Sequence, residues 1–162
     1  MGERIRDLLL THDTSVRIGR RSEMLLYMAA RAQLVDELIR PALEMGKTVV
    51  SDRYLLANVV YQGHAGGLEP EVVWQIGRAA TDGVMPDCTF LLDMPPEAAG
   101  RRLNRPLDRM ESQGAQYRQR LREGFLKEAS RPDSRVYVID AAQPIEAVQS
   151  DIWRIAAPLL DG

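Results

Sequence analysis

The chain has 162 residues and a mass of 18.2 kDa, which is the size of one ordinary domain. Hydrophobic residues make up 45% and charged residues 27%, so the composition excludes a disordered or collagen-like chain. One cysteine, Cys88, excludes a scaffold held by internal disulfides. No apolar run approaches the roughly 20 residues that span a bilayer, and no signal-peptide pattern opens the chain. We therefore expect a cytoplasmic protein with one domain over residues 1–162 and no membrane partner.

The net charge of −2 conceals an uneven distribution of charge. Residues 101–135 contain ten Lys or Arg and five Asp or Glu, while the rest of the chain is acidic. Arginine supplies 19 of the 21 basic residues, and a guanidinium group holds phosphate oxygens in a bidentate fork. A bias of codon usage explains the excess of arginine equally well. The basic block itself favours an anionic ligand bound at one place over general nucleic-acid binding.

The first half of the chain combines helical patterns with one strand-like segment. Apolar residues from Leu25 through Leu38 to Ala42 recur at steps of three and four, which predicts one long helix over residues 20–45. After Gly46, the β-branched segment Thr48-Val49-Val50 predicts a buried strand that closes at Asp52. Two further helices are predicted, over residues 55–61 and 69–80.

The second half contains two more apolar segments, each closed by an aspartate. They predict strands at residues 88–92 and 136–139, followed by Asp93 and Asp140. A polar segment at 104–115 predicts a loop, and helices are predicted over 95–103, 116–129 and 144–160. Strands separated by helices predict an α/β fold with a parallel sheet, in which ligands bind beyond the carboxyl ends of the strands. Asp52 is expected at the same edge.

Gly46-Lys47-Thr48 matches the end of a phosphate-binding P-loop, G-x-x-x-x-G-K-[ST], but only by chance. Pro41 takes the place of the first glycine, and the segment follows a helix and precedes a strand, which is the reverse of the required context. The printed sequence therefore contains no P-loop.

Five segments carry a specific resemblance. They are Gly2–Leu10, Leu25–Gln33, Asp52-Arg53-Tyr54 followed by Asn58, Tyr61, Gln62 and Gly63, then Asp108–Glu111 and Val138–Ala141. In this order and spacing they resemble the thymidylate kinase family, P-loop enzymes that phosphorylate dTMP. The resemblance covers nearly the whole chain and implies a P-loop-kinase-like parallel sheet flanked by helices.

The resemblance also implies roles for individual residues. Arg53 would hold the phosphate of dTMP, and Asp52 would serve the magnesium ion and the phosphate region. Tyr27 takes the place of the family's usual Phe and would stack on thymine. Arg31, one helical turn further on, would donate to a carbonyl of the base, and the amide of Asn58 would meet the edge of the thymine.

Other implied roles concern the sugar and the phosphates. Tyr61 would pack against the sugar and exclude a 2′-hydroxyl, with Gln62 beside it in the dTMP site. Arg105 and Arg109 would lie in a lid at about residues 104–115 that closes over the phosphates, because phosphoryl transfer needs positive charge at the moving group. Together with Asp52 and Arg53 they form the predicted catalytic set. ATP and Mg²⁺ are the implied cofactors, and a homodimer the implied assembly.

Each of these residues alone has an ordinary structural explanation, such as a core aromatic ring or a solvated arginine. Their joint order and spacing favours the kinase. Two alternatives stay open: a catalytically inactive module that binds nucleotide or forms dimers, and another nucleotide kinase of the same superfamily. In the family, a strand and the P-loop precede the point where this chain begins, which predicts a chain without its N-terminal strands. We accordingly expect dTMP binding, and dTDP formation only after extension upstream of Met1.

Overall fold

The computed structural model describes residues 2–10, 18–102 and 114–160. In chain order the elements are α1 (Gly2–Leu10), α2 (Arg20–Leu34), α3 (Arg40–Glu44), α4 (Leu55–Asn58), α5 (Pro70–Ala80), β1 (Thr89–Asp93), α6 (Pro96–Arg102), α7 (Ala115–Ala129), β2 (Val136–Asp140) and α8 (Ile145–Leu160). Two π-helical turns, Val35–Ile39 and Val59–His64, join α2 to α3 and extend α4. The extended α4 is called the 55–64 helix below.

The strands β1 and β2 pair in parallel, in register from Thr89 beside Val136 to Asp93 beside Asp140. The two strand-closing aspartates therefore lie next to each other at the carboxyl edge of the sheet. The helix α7 lies between the strands in sequence, and α8 follows β2. The predicted α/β fold with a parallel sheet is confirmed, and the predicted strands at 88–92 and 136–139 are confirmed to within one residue.

The strand predicted at Thr48-Val49-Val50 is absent from the structure. Residues 47–50 have no strand hydrogen bonds, and Val50 is 93% exposed. A strand is stabilised by backbone hydrogen bonds to a neighbouring strand. Within the described ranges the sheet contains β1 and β2, and neither pairs with residues 47–50. The prediction of a buried strand that closes at Asp52 was therefore wrong.

The helix predicted over residues 20–45 is confirmed as one continuous helix from Arg20 to Glu44. Its π-helical turn precedes Pro41, which has no N–H to donate, and the Arg40 N–H bonds to the Val35 carbonyl. The buried stripe is narrower than the predicted apolar face, because Leu25 is 53% and Leu38 63% exposed. The helices predicted to follow residue 54 are confirmed, although the first continues through Gly63 to His64.

A core cluster holds α2 against the 55–64 helix and α5. Its buried members are Met24, Met28, Leu55, Val59 and Val73. Tyr54 and Trp74 pack on its border. The cluster therefore holds α2 against the 55–64 helix. Tyr27 and Arg31 follow the two buried methionines by about one helical turn, so they lie beside this contact.

The lid predicted at about residues 104–115 falls mostly outside the described residues, as do Arg105 and Arg109. Gly114 and Ala115 are described, and Ala115 begins α7.

None of the helices described is both long and apolar enough to cross a membrane.

Candidate functional site

Arg31 connects α2 to the segment that begins at Ser51. Its Nη2 atom donates a 2.9 Å hydrogen bond to Oδ1 of Asn58, and its Nη1 atom donates at 3.4 Å to the carbonyl oxygen of Arg53. The guanidinium carbon also lies 4.8 Å from the centre of the Tyr54 ring, which is a cation–π distance. Arg31 is thus fixed on three sides by residues from one short segment.

One nitrogen of this guanidinium group has no hydrogen-bond partner among the described residues. Nε of Arg31 is buried and makes no hydrogen bond in the described structure. Burial lowers the pKa of Arg31 below its usual value, and the nearby Tyr54 opposes that change. The group nevertheless stays a cation at neutral pH, because arginine does not deprotonate in proteins. A buried donor without a partner is costly, and the protein itself covers this nitrogen. The Nη1 and Nη2 atoms each carry a second N–H, and these are the donors left for a ligand.

Arg53 occupies a turn in an unusual backbone conformation. Its φ is 70°, in the left-handed region that favours glycine, and its carbonyl accepts hydrogen bonds from both Ser51 Oγ (2.9 Å) and Arg31. These two bonds hold the strained turn. The Arg53 side chain is exposed, and its guanidinium carbon lies 5.3 Å from the centre of the Tyr61 ring. The turn therefore presents a second guanidinium group to solvent beside an aromatic ring.

Tyr61 is supported from behind by α7. The ring of Phe125 meets it edge to face, with centroids 6.3 Å apart and an interplanar angle of 76°. Tyr61 and Gln62 both belong to the π-helical turn of the 55–64 helix. Such turns are uncommon and occur often at functional sites.

Two buried amides lie beneath Arg31. Asn58 is 5% and Gln62 is 4% exposed. Asn58 Nδ2 donates to Gln62 Oε1 at 3.3 Å, and Gln62 Nε2 donates to Glu23 Oε1 at 3.3 Å. A chain of hydrogen bonds therefore runs from Arg31 on α2, through the 55–64 helix, back to Glu23 in the first turn of α2.

The structure brings together most of the residues predicted for the dTMP site. Direct contacts join five of them: Arg31, Arg53, Asn58, Tyr61 and Gln62. Tyr27 is half-buried on the same face of α2 as Arg31, one turn earlier. Asp52 is exposed in the turn beside Arg53. Gln62 is buried, and its side chain bonds to Asn58 and Glu23 rather than facing solvent.

Sequence reasoning did not single out Glu23 or Tyr54 as site residues. Glu23 precedes Tyr27 and Arg31 by four and eight positions, which puts all three on one face of a helix. That spacing was a usable signal. The Tyr54 hydroxyl donates to the Val84 carbonyl at 3.0 Å, which holds the ring under Arg31, and burial raises the pKa of this tyrosine. No sequence pattern connects Tyr54 to Val84.

The arrangement suits an anionic ligand that also carries a planar group with a carbonyl. Two guanidinium groups supply the positive charge, and buried amides beside an aromatic ring supply directional contacts. In the parts of the chain that the structure describes, no three His, Cys, Asp or Glu side chains come close enough together to hold a metal ion by themselves. The fold and the site define an α/β protein with a cationic, amide-lined ligand site at the face between α2 and the 55–64 helix.

Comparisons with known proteins identify the family. The family model for thymidylate kinase matches residues 1–152. The chain is 43% identical to the thymidylate kinase of Rhodopirellula baltica, an alignment that covers 96% of the chain and 62% of that protein. It is 44% identical to the thymidylate kinase of Bifidobacterium longum and 38% identical to that of Thermosipho melanesiensis, of which it spans 79% in each case. The chain belongs to the thymidylate kinase family.

Proposed function

We propose that this chain binds dTMP as the phosphoryl acceptor of a nucleoside monophosphate kinase, which forms dTDP from ATP and dTMP. The observation that carries the proposal is the cluster of Arg31, Asn58 and Tyr54, in which the guanidinium group lies on the tyrosine ring and donates to the amide oxygen of Asn58. Thymine offers carbonyl oxygens that accept from a guanidinium group and an N–H that donates to an amide oxygen. Family membership supports the choice of dTMP as the ligand.

The phosphate of dTMP is assigned to Arg53. Its side chain is exposed beside Tyr61, and the hydrogen-bonded turn fixes the direction in which it leaves the backbone. A guanidinium group binds phosphate oxygens in a bidentate fork. Tyr61 would then lie between the base and the phosphate, against the sugar, and Tyr27 would stack on the base.

Magnesium is assigned to Asp52. Mg²⁺ usually takes one or two carboxylates together with substrate phosphates and water, so one exposed carboxylate next to the phosphate-binding arginine fits that mode. When bound, the ion neutralises charge on the phosphates. Arg105 and Arg109 are assigned to the closing lid, where they would add positive charge at the transferred group. The printed sequence has no G-x-x-x-x-G-K-[ST] segment, so none of its residues is assigned to the donor phosphates of ATP.

In this scheme the protein contributes positioning and charge rather than a covalent intermediate. Arg31 and Asn58 orient the base, Tyr61 orients the sugar, and Arg53 fixes the acceptor phosphate. A homodimer and a cytoplasmic setting remain predictions, and size-exclusion chromatography with light scattering tests the first.

Calorimetric titration of the chain with dTMP, dCMP, dAMP, dGMP and thymidine tests the proposal. We expect dTMP to bind most tightly, and thymidine to bind more weakly because it lacks the phosphate that Arg53 contacts. Equal affinities for the four mononucleotides would contradict the proposal. Formation of dTDP from ATP and dTMP is followed separately by chromatography, because acceptor binding and phosphoryl transfer are separable, and this second assay distinguishes a kinase from an inactive nucleotide-binding module.

A further inference from the structure

The hydrogen-bond chain from Arg31 to Glu23 has a fixed direction. A guanidinium group only donates and a carboxylate only accepts. Arg31 at one end therefore requires an oxygen from Asn58, and Glu23 at the other end requires a nitrogen from Gln62. The two amides between them can satisfy both ends and each other in one orientation only, with Asn58 Nδ2 donating to Gln62 Oε1. Both ends of the chain thus specify the same orientation of the Asn58 amide.

Burial raises the energetic cost of turning either amide to the opposite orientation. Asn58 and Gln62 are almost fully buried, so water cannot readily replace a lost partner. If a donor replaced the carboxylate of Glu23, Gln62 would turn its oxygen towards that donor and away from Asn58. Two NH₂ groups would then face each other in a buried position, and Asn58 could relieve the conflict only by turning its own oxygen away from Arg31.

The orientation of Asn58 decides which base edge the site can accept. With the carbonyl of Asn58 against Arg31, the site offers an acceptor next to a cationic donor. The thymine edge offers an N–H next to a carbonyl, which is complementary. The cytosine edge offers a ring-nitrogen acceptor next to an amino donor, which is the reverse pattern. A reversed Asn58 amide would lose this preference.

We infer that Glu23 is a positioning residue, which acts through Gln62 to fix the amide of Asn58 and thereby sets the preference of the site for thymine over cytosine. The inference rests on the proposed function. In the hydrogen-bond chain, the side chains of Asn58 and Gln62 separate Glu23 from Arg31. Glu23 therefore contacts Gln62 rather than the proposed ligand. Its place in the first turn of α2 favours a negative charge there, because the amino-terminal end of a helix carries partial positive charge.

Three variants of the full chain separate this role from a merely structural one. Glu23→Gln keeps an acceptor at the same place, whereas Glu23→Lys presents only donors and Glu23→Met presents no donor and only a weak sulfur acceptor. Glu44→Lys makes the same charge change at an exposed position near the end of α3, outside the hydrogen-bond chain. The measured quantity is the ratio of the dissociation constants of dCMP and dTMP, with the thermal unfolding midpoint recorded for each protein.

The expected ratio for Glu23→Gln and Glu44→Lys is within about threefold of the parent ratio, since each retains the acceptor that Gln62 needs. For Glu23→Lys we expect the ratio to fall on the order of tenfold or more, the effect of one buried hydrogen-bonding group left in conflict. Glu23→Met gives a smaller fall in the same direction and decides the question if Glu23→Lys does not fold.

Two failures are distinguishable. If the parent chain does not prefer dTMP to dCMP, the proposed function and this inference both fall. If the parent prefers dTMP, and folded Glu23→Lys and Glu23→Met keep the parent ratio, Glu23 has no positioning role and only this inference is overturned. A fall in the unfolding midpoint with an unchanged ratio is likewise the result of a structural contact alone and counts against it.

Discussion

Nε2 of His64 lies 2.8 Å from Oε1 of Glu128, across the contact between the 55–64 helix and α7. The carboxylate is only 4% exposed. Its other oxygen accepts hydrogen bonds from Trp74 Nε1 at 3.0 Å and from Arg131 Nη1 at 3.1 Å. One buried carboxylate thus connects α7 to the 55–64 helix through His64 and to α5 through Trp74.

We expect Glu128→Ala to lower the free energy of unfolding by about 3–5 kcal/mol, the range for removal of one partner from a buried charged pair. His64 and Trp74 would lose an acceptor in a part-buried position, and Arg131 would lose one of its two carboxylate partners. Urea unfolding followed by tryptophan fluorescence measures the change. Glu123→Ala, at an exposed position of the same helix, is the matched control and should cost less than about 0.5 kcal/mol. Similar losses for the two variants would contradict the assigned role of Glu128.

Stability should fall at acid pH because two carboxyl groups ionise more readily in the folded chain. Burial opposes ionisation of Glu128, but hydrogen bonds from His64, Trp74 and Arg131 outweigh it and lower the pKa. For Asp93, the two hydrogen bonds from Arg122, at 2.7 and 2.8 Å, lower the pKa.

A carboxyl pKa that is lower in the folded chain than in the unfolded chain stabilises the fold at neutral pH. This stabilisation is complete above the ordinary carboxyl pKa of about 4–4.5, and it is lost as the pH falls through the lower pKa of the folded chain. The free energy of unfolding should therefore decline below about pH 4.5. Urea titrations from pH 7 to pH 3 measure this decline, which should be shallower in Glu128→Gln and in Asp93→Asn. Parallel curves for parent and variants would show that these two groups do not cause it.

Arg31→Ala should weaken dTMP binding by about 1.5–3 kcal/mol, the range for hydrogen bonds to a charged group. The variant also leaves Asn58 Oδ1 and the Arg53 carbonyl without their donor. Arg31→Lys retains the charge but not the planar fork, so we expect an intermediate affinity. Calorimetry with dTMP decides the matter, and an unchanged affinity in Arg31→Ala would remove this residue from the site.

Arg53→Gly should separate the backbone role of this residue from its side-chain role. Glycine adopts a φ of 70° without steric cost, so the variant should be more stable than Arg53→Ala by about 1 kcal/mol. Both variants lose the guanidinium group and should bind dTMP equally weakly. Chemical unfolding and calorimetry of the pair test both statements, and a tighter-binding glycine variant would show that the turn, rather than the charge, limits affinity.

Gly77→Ala should destabilise the core by about 1–3 kcal/mol, the usual cost of overpacking. A Cβ at this position of α5 would overlap the side chain of Leu55, which is fully buried and would have to shift within the packed core. Gly100 in α6 offers a control, because a Cβ there meets no atom within 4 Å. Gly100→Ala should be neutral or stabilising by up to about 1 kcal/mol, since alanine favours the helix. Thermal unfolding midpoints that move in the same direction for both variants would contradict this packing.

Local patterns in the sequence were sufficient for most of the elements. The three- and four-residue apolar steps predicted the helix from Arg20 to Glu44, and the apolar segments closed by Asp93 and Asp140 predicted the two strands that pair. Helical spacing also placed Tyr27 and Arg31 on one face. These features depend on residues that are close in the chain, so a pattern of side chains is enough to specify them.

Long-range pairing was decided only in the tertiary structure. Thr48-Val49-Val50 has a strand-like composition, yet it forms no strand in the structure described, because a strand exists only where another backbone supplies hydrogen bonds. The exposure of Leu25 and Leu38 likewise depends on which neighbouring helices cover α2. The hydrogen bonds from Arg31 to Asn58 and from Gln62 to Glu23 span 27 and 39 residues of chain, and folding alone brings those partners together. The sequence therefore predicted most residues of the candidate site, whereas the direction of the amides within it follows from contacts that no local pattern records.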